Sequence, residues 1–453
     1  MNTTTTNASL LDRDKRSIWH PFTPLLGSRA VLPVQRAEGV YLYTEDGRQI
    51  LDCIASWWVN LHGHSHPHIA EAIYRQAMQL EHVIFAGFTH EPAVQLAEKL
   101  LEILPINQSK VFYSDNGSTA VEVGLKMAFQ YWYNQGIQKK KVIAISGSYH
   151  GDTFGAMSVG DRSPFNAPFA PFLFDVTFID FPACHREACC LGNAVLKRGC
   201  SEGSRDATIA IIRQFQTLAE SGEVAAFIFE PLVQGSSGMR MYAAHLLDEL
   251  MRIAKANHIL CIADEVMTGF GRTGELFASD HLSQAPDIMC LSKGLTGGTM
   301  ALGATTCTEE VIAAFRSDDL MRTFFHGHSF TANPLACAAA LASLDLLLTE
   351  ECSQHIYRIA QKHLDFTEQM QNHPGIKEIR CLGVILAVEI HTLQATGYFN
   401  EARNSLNDYF LEQDLLIRPL GNVIYVLPPY VITNEELDRI YAAITQLLQI
   451  GIK

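Results

Sequence analysis

Between Ile259 and Gly298 the chain carries two short apolar runs, and each ends on a residue with chemistry. Leu260-Cys261-Ile262-Ala263 runs into Asp264. Ile288-Met289-Cys290-Leu291 runs into Ser292-Lys293, with Gly294, Gly297 and Gly298 close behind. Brief apolar runs bounded by turn formers read as buried strands. Such strands belong to parallel sheets, which hold their ligands beyond the strands' carboxyl ends. The stretch therefore asks for an α/β fold with a carboxylate and an amine at one sheet edge. A lysine crowded by glycines and kept from water becomes a nucleophilic amine. A Schiff-base lysine with an aspartate facing a pyridinium nitrogen is the protein half of a pyridoxal-phosphate site. A helix-capping aspartate and a solvated lysine would leave the same letters, so the rest of the chain has to decide.

Composition narrows the class. At 453 residues, 48% hydrophobic and 18% charged, the chain can bury a large core. Its length suggests about three domains, though α/β chains of this size often form two. The charge balance, 34 − 48 = −14, argues against nucleic acid as the main partner. No apolar stretch approaches the ~18 residues of a membrane span, and the polar N-terminus shows no signal peptide. A cytoplasmic protein is expected. Of 11 cysteines, Cys53, Cys261, Cys290 and Cys337 lie in apolar runs and read as small core residues, not a disulfide framework.

Taken in order, residues 1 to about 18 read as a flexible tail. Ile18-Trp19-His20-Pro21-Phe22 then packs aromatics beside proline, as a docked arm or as the lining of a site. Val40 to Asp52 reads as a hairpin turning at Asp46-Gly47. Trp57 and Trp58 are adjacent, so on an extended chain one would line a pocket while the other packs. The histidines from His62 to His68 lack patterned carboxylate or cysteine partners, and no metal is expected. Helices are predicted near 69–82, 91–104, 120–132, 246–256 and 335–348. Lys110 to Tyr113 is a strand, and Ser114 to Thr119 follows it into a helix start. Free N–H groups and hydroxyls there make an anion cup around Gly117 and Ser118, although any helix cap uses the same residues. Val142 to Ile145 and Val224 to Phe229 are further strands. Tyr149, just past the first of them, can stack on a flat ring or simply pack on its neighbours. Residues 182–206, rich in cysteine, match no zinc spacing and read as a surface insertion. A second hydroxyl-bearing loop contains Gly327-His328-Ser329. Arg418, near a strand end, is a carboxylate clamp or a surface ion pair.

These motifs together resemble the class III, fold-type I pyridoxal-phosphate aminotransferases over nearly the whole chain. Ile18-Trp19-His20-Pro21, Ser56-Trp57-Trp58, Gly151 to Ser158, Gly238 to Tyr242, Thr268 to Gly274 and Leu295 to Thr299 are the more specific strings. They resemble the branch of the family that aminates 8-amino-7-oxononanoate in biotin biosynthesis, with S-adenosylmethionine or lysine as donor. Another ω-amino-acid or diamine aminotransferase is the alternative. The resemblance implies a large domain (66–333) with a mainly parallel seven-stranded sheet flanked by helices. It implies an arm and part of a small α+β domain from 1–65, and the rest of that domain from 334–453. Lys293 and Asp264 would be catalytic. Gly117, Ser118, Tyr149, His328 and Ser329 would hold the cofactor with them. Phe22, Trp57, Tyr149, Lys293, Gly327 and Arg418 would meet substrate. Asp152 and Arg272 would support these groups. A homodimer would share the site, with Gly327 and Ser329 reaching toward the partner's cofactor.

Overall fold

A computed structural model describes residues 9–27, 31–182 and 202–451. Its strands, in chain order, are β1 (Val34–Glu38), β2 (Tyr41–Thr44), β3 (Gln49–Asp52), β4 (Gln108–Ser114), β5 (Lys141–Ile145), β6 (Thr177–Ile179), β7 (Val224–Phe229) and β8 (Val233–Gln234). They continue with β9 (Arg240–Met241), β10 (Leu260–Asp264), β11 (Ile288–Leu291), β12 (Gly303–Thr308), β13 (Ile376–Leu382), β14 (Ile385–Ile390), β15 (Leu415–Leu416) and β16 (Val423–Val426).

Seven strands form the large sheet in the order β4-β12-β11-β10-β7-β5-β6. Every neighbouring pair is parallel except those made by β12, which is antiparallel to both β11 and β4. Two reversals cancel, so β4 again runs with β11. The carboxyl ends of β4, β5, β7, β10 and β11 therefore share one edge, where such sheets keep their ligands. Both faces are covered. Ile143, Ile145, Phe227, Phe229, Cys261 and Ala263 enter one core, and the alternating Val142, Ala144, Ala226, Ile228, Leu260 and Ile262 enter the other. This period-2 division explains why the strands read as unbroken apolar runs. Cys53, Cys261, Cys290 and Cys337 are buried, as the apolar runs around them implied.

The two ends of the chain meet in the smaller sheets. The hairpin β2–β3 forms around Gly47, whose φ is 87°. Distant β15 extends it in parallel to β3, joining segments more than 360 residues apart. A three-stranded sheet, β13-β14-β16, lies alongside. The helix Pro334–Leu347 is almost wholly buried and packs on the helices Pro67–Gln79 and Glu91–Ile103 and on the turn that carries Lys293.

Two local readings needed correction. The expected flexible tail contains a helix, Leu10–Ser17, started by a reciprocal Ser9–Asp12 capping box. The tryptophans are not on extended chain. Ala55, Ser56 and Trp58 have φ of 50°, 60° and 66°, and the segment is a kinked helical turn. Left-handed backbone at three non-glycine residues is strained and needs an outside support. Fully buried Asp52 provides it: its carboxylate accepts from Ile54 N–H at 3.2 Å, Ser56 N–H at 2.7 Å, Ser56 O–H at 3.1 Å and His64 Nε2 at 2.9 Å. The predicted insertion at 182–206 lies mostly outside the described residues.

Removing that carboxylate leaves buried donors unpaired. Asp52→Ala is expected to cost about 3 kcal/mol, read as a lower urea midpoint, and Asp52→Asn distinctly less.

Candidate active site

The carboxyl edge of the large sheet opens onto a cavity of about 410 Å³. Each strand end brings one piece of it. β10 ends on Asp264, which is 4% exposed. One carboxylate oxygen accepts from Val266 N–H at 3.1 Å, and the other lies 2.7 Å from His150 Nδ1. A carboxylate only accepts, so the proton of His150 is on Nδ1. Its buried Nε2 has no hydrogen-bond partner among the described residues.

β7 ends on Glu230, whose carboxylate accepts from Tyr149 N–H at 3.0 Å and Gly235 N–H at 2.9 Å. Burial, with neighbouring Asp264 adding to it, pushes this carboxyl up to about 7, against the pull of His150. β11 ends at Ser292, and Lys293 follows with φ 47° at the start of a tight turn. Burial brings its amine down to about 8, although Asp264 and Glu230 pull the other way. The Nζ lies 4.7 Å from the centre of the Trp58 ring.

β4 ends in the anion cup. Asn116 caps the helix Gly117–Asn134 by accepting from Thr119 N–H, which leaves the first N–H groups of an 18-residue helix facing the cavity. Gly117 is required there, because a Cβ would meet Val266 Cγ1 at 2.7 Å. Ser118 Oγ accepts from Asp152 N–H at 3.2 Å and keeps its own proton to donate. At Gly151, with φ 127°, a Cβ would fall 2.2 Å from Ser118 Oγ. An anion cup, a flat slot bordered by Tyr149, a buried carboxylate and a neutralisable amine fit the phosphate, ring, ring nitrogen and aldehyde of pyridoxal phosphate.

Residues 27–448 match the class-III aminotransferase family. The chain belongs to the class-III aminotransferases. An adenosylmethionine-8-amino-7-oxononanoate aminotransferase of Synechococcus elongatus is 49% identical to it over 95% of this chain and 98% of its own length. One of the same name from Geobacter sulfurreducens is 42% identical over 95% of each chain. The crystal structure of one from Methanocaldococcus jannaschii superposes with a TM-score of 0.84 at 34% identity, covering 96% of this chain and 98% of that one. The ω-transaminase of Pseudomonas jessenii in complex with PMP gives 0.87 at 27% identity, covering 98% of both. The fold is thus shared by aminotransferases with different names, while the higher identity lies with the first group.

The aminotransferase's sequence-predicted residues fall into three sets. Lys293, Asp264, Gly117, Ser118 and Tyr149 border the inner cavity. Phe22, Trp57 and Asp152 border an outer cavity of about 880 Å³, which Tyr149 and Lys293 also reach. Phe22 meets Trp57 edge-on at 5.6 Å, and Arg418 stacks on the Trp57 ring at 4.5 Å. The third set, to which Arg418 also belongs, borders neither cavity. Arg272 is buried, donating to Pro428 O at 3.2 Å and Asn60 O at 2.9 Å, and so braces the wall behind the site. Gly327 and Ser329 lie on an exposed loop, and His328 is 3.0 Å from Asp115, beside the anion cup.

Three site residues escaped sequence reasoning. Glu230 gave the same signal as Asp264, a carboxylate ending an apolar strand. His150 follows the aromatic that drew attention instead. Trp58 borders both cavities while Trp57 borders only the outer one, because the turn's left-handed backbone overrides the alternation of an extended chain. The histidine loop is structural: His62 pairs with Ser343 at 3.0 Å and His64 with Asp52. Among the described residues no group of three metal-ligating side chains forms.

In cofactor-free protein the Lys293 ammonium is disfavoured by burial, and this penalty is complete below about pH 8. It lifts as pH rises toward 10.5, because the folded chain releases its proton before the unfolded one does. Stability is therefore expected to rise between pH 8 and 10.5 relative to Lys293→Met. Modification of Lys293 by an amine reagent, followed by mass spectrometry, should be half-maximal near pH 8.

Proposed function

We propose that this chain transfers an amino group to 8-amino-7-oxononanoate, with S-adenosylmethionine as donor, by a ping-pong reaction on pyridoxal phosphate in biotin biosynthesis. The observation that carries the chemistry is the convergence of Lys293, Asp264 and the Gly117–Ser118 cup on one cavity. The substrates are supported by the names of the relatives that are 49% and 42% identical along almost the whole chain.

The cofactor, when bound, supplies an electron sink for the carbanion formed at the substrate carbon. The protein's part follows from its own groups. Lys293, about half neutral near pH 8, can act as a nucleophilic amine toward a carbonyl and, when free, as the base that carries a proton across the reacting carbon. Asp264 would face the ring nitrogen and favour its protonated form, and His150 fixes that carboxylate through one of its oxygens. Helix N–H groups and Ser118 would hold the phosphate, and Tyr149 and Val266 would bound the ring. Trp57, Trp58 and Phe22 give flat apolar walls that an alkyl chain and an adenine can each use in turn. Arg418, stacked on Trp57, is assigned to the acceptor's carboxylate, which its fork suits.

The reading extends to a cytoplasmic homodimer with the site at its interface, and to the division 1–65, 66–333 and 334–453. Leu320, Met321, Phe325 and Phe330 stand exposed around the Gly327–Ser329 loop. A second copy would cover them and bring that loop to its own cofactor cup. No helix among the described residues is long and apolar enough to cross a membrane.

The test separates the two halves. Holoenzyme mixed with S-adenosylmethionine alone should lose its near-visible absorption, and adding 8-amino-7-oxononanoate should restore it. Bleaching by lysine instead would replace the donor. Bleaching by simple ω-amines, with no response to the oxononanoate, would favour the ω-transaminase reading suggested by the Pseudomonas jessenii likeness. Lys293→Ala should lose turnover altogether.

A further inference from the structure

The outer cavity holds an arginine with no hydrogen-bond or ion-pair partner among the described residues. Arg240, on β9, borders the same cavity as Lys293. Its guanidinium carbon lies over the Phe181 ring, 3.7 Å from the ring centre. Among the described residues it makes no hydrogen bond and no ion pair. Neighbouring Arg380 is the opposite case. It donates to Met239 O at 2.8 Å and to Gly238 O, and pairs with Glu389 at 3.2 Å and Glu378 at 3.3 Å. Glu389 is further held by Lys377 at 2.8 Å and by Thr396. The acids near Arg240 are thus largely occupied, and Asp161 faces it without closing an ion pair. Burial and the like charge of Arg380 both press on its cation.

The backbone admits the guanidinium edge only because residue 147 is glycine: its φ is 85°, and a Cβ there would lie 2.9 Å from Arg240 Nη1, 2.9 Å from Gln234 Oε1 and 3.0 Å from Ser237 Oγ. Any other residue there would crowd the guanidinium edge. A half-buried arginine with no hydrogen-bonded acceptor among the described residues, at the wall of an aromatic cavity, suits a carboxylate by its chemistry: its fork takes two oxygens at once. The cavity has the other requirement too, since its aromatic walls can carry an alkyl chain between the reacting amine and that fork.

We infer that Arg240 is an anion subsite for the terminal carboxylate of the amino acceptor, a second specificity-determining arginine beside Arg418. The inference rests on the substrate reading above. In that acceptor the ketone must approach Lys293, while the carboxylate lies at the far end of the alkyl chain. The donor has no carboxylate in that position. Its own is next to the reacting carbon and stays by Lys293.

Two measurements on holoenzyme test it. In steady state, Arg240→Met should raise the KM for 8-amino-7-oxononanoate by roughly 10- to 100-fold, with kcat little changed, and Arg240→Lys should recover part of the loss. The half-reaction with donor should keep its rate, which also shows that the variant is folded. An unchanged acceptor KM in Arg240→Met, or an equal loss in the donor half-reaction, would overturn the subsite. The second measurement does not depend on the substrate reading. Heptanoate, a plain alkyl carboxylate, should bind wild-type holoenzyme in calorimetry and bind Arg240→Met at least ~10-fold more weakly. Equal binding to both would overturn the inference even if the acceptor proves to be another molecule. Failure of wild type to use the oxononanoate, with heptanoate still dependent on Arg240, would instead overturn the substrate reading alone.

Discussion

Asp264 is a carboxylate at the end of a central strand, with almost no water around it. Such a group needs donors in fixed places, and the site is arranged to give them. Val266 N–H satisfies one oxygen from the turn just after β10, and His150 reaches the other from the loop after β5. The strands on either side then deliver Glu230 and Lys293. The three groups act on one another. Asp264 raises the Glu230 carboxyl and also restrains the fall of the Lys293 amine that burial drives. A change at any one of them is felt at the other two, so the cluster behaves as a unit.

The inner and outer cavities divide the work. The inner one is built from strand ends and a helix start, so its shape follows from the sheet. The outer one is walled by an N-terminal arm, a strained turn and a segment near β13 and β14. Its pieces come from far apart in the chain and can vary without disturbing the sheet. That is consistent with aminotransferases of other names keeping this fold at 27% identity.

The same division explains what the sequence could tell. Asp264 and Lys293 were legible because each follows a strand that is apolar on both faces, and the Gly117–Ser118 cup because a Gly/Ser/Thr turn joins a strand to a helix start. Glu230 carried the same mark and was passed over. The tryptophan turn was hidden, since nothing local announces left-handed backbone at Ala55, Ser56 and Trp58. Asp52 holds it from two to four residues away, but that carboxylate is itself fixed by His64, twelve residues on, and its burial is a matter of the fold. The small sheet was equally hidden, because β3 finds its partner β15 near the other end of the chain. The helix at Leu10–Ser17 did have a signature, the Ser9–Asp12 capping box, set in a polar segment that otherwise resembles a tail. Arg240 lies in the Gly238–Tyr242 segment, whose letters do not tell a paired arginine from an unpaired one; the cavity it borders does.

The reversed strand β12 has a mechanical meaning. It lies between β4, which ends in the phosphate cup, and β11, which ends at the lysine. Gly303 pairs with Ser114 on one side, and Ala304 with Leu291 on the other. The cup and the amine are therefore held two strand spacings apart, about 10 Å, by a ladder of backbone hydrogen bonds on each flank. Side-chain substitutions can retune the walls, but they cannot easily stretch that gauge. A bound molecule must match it in length, which makes the sheet itself a ruler for the cofactor.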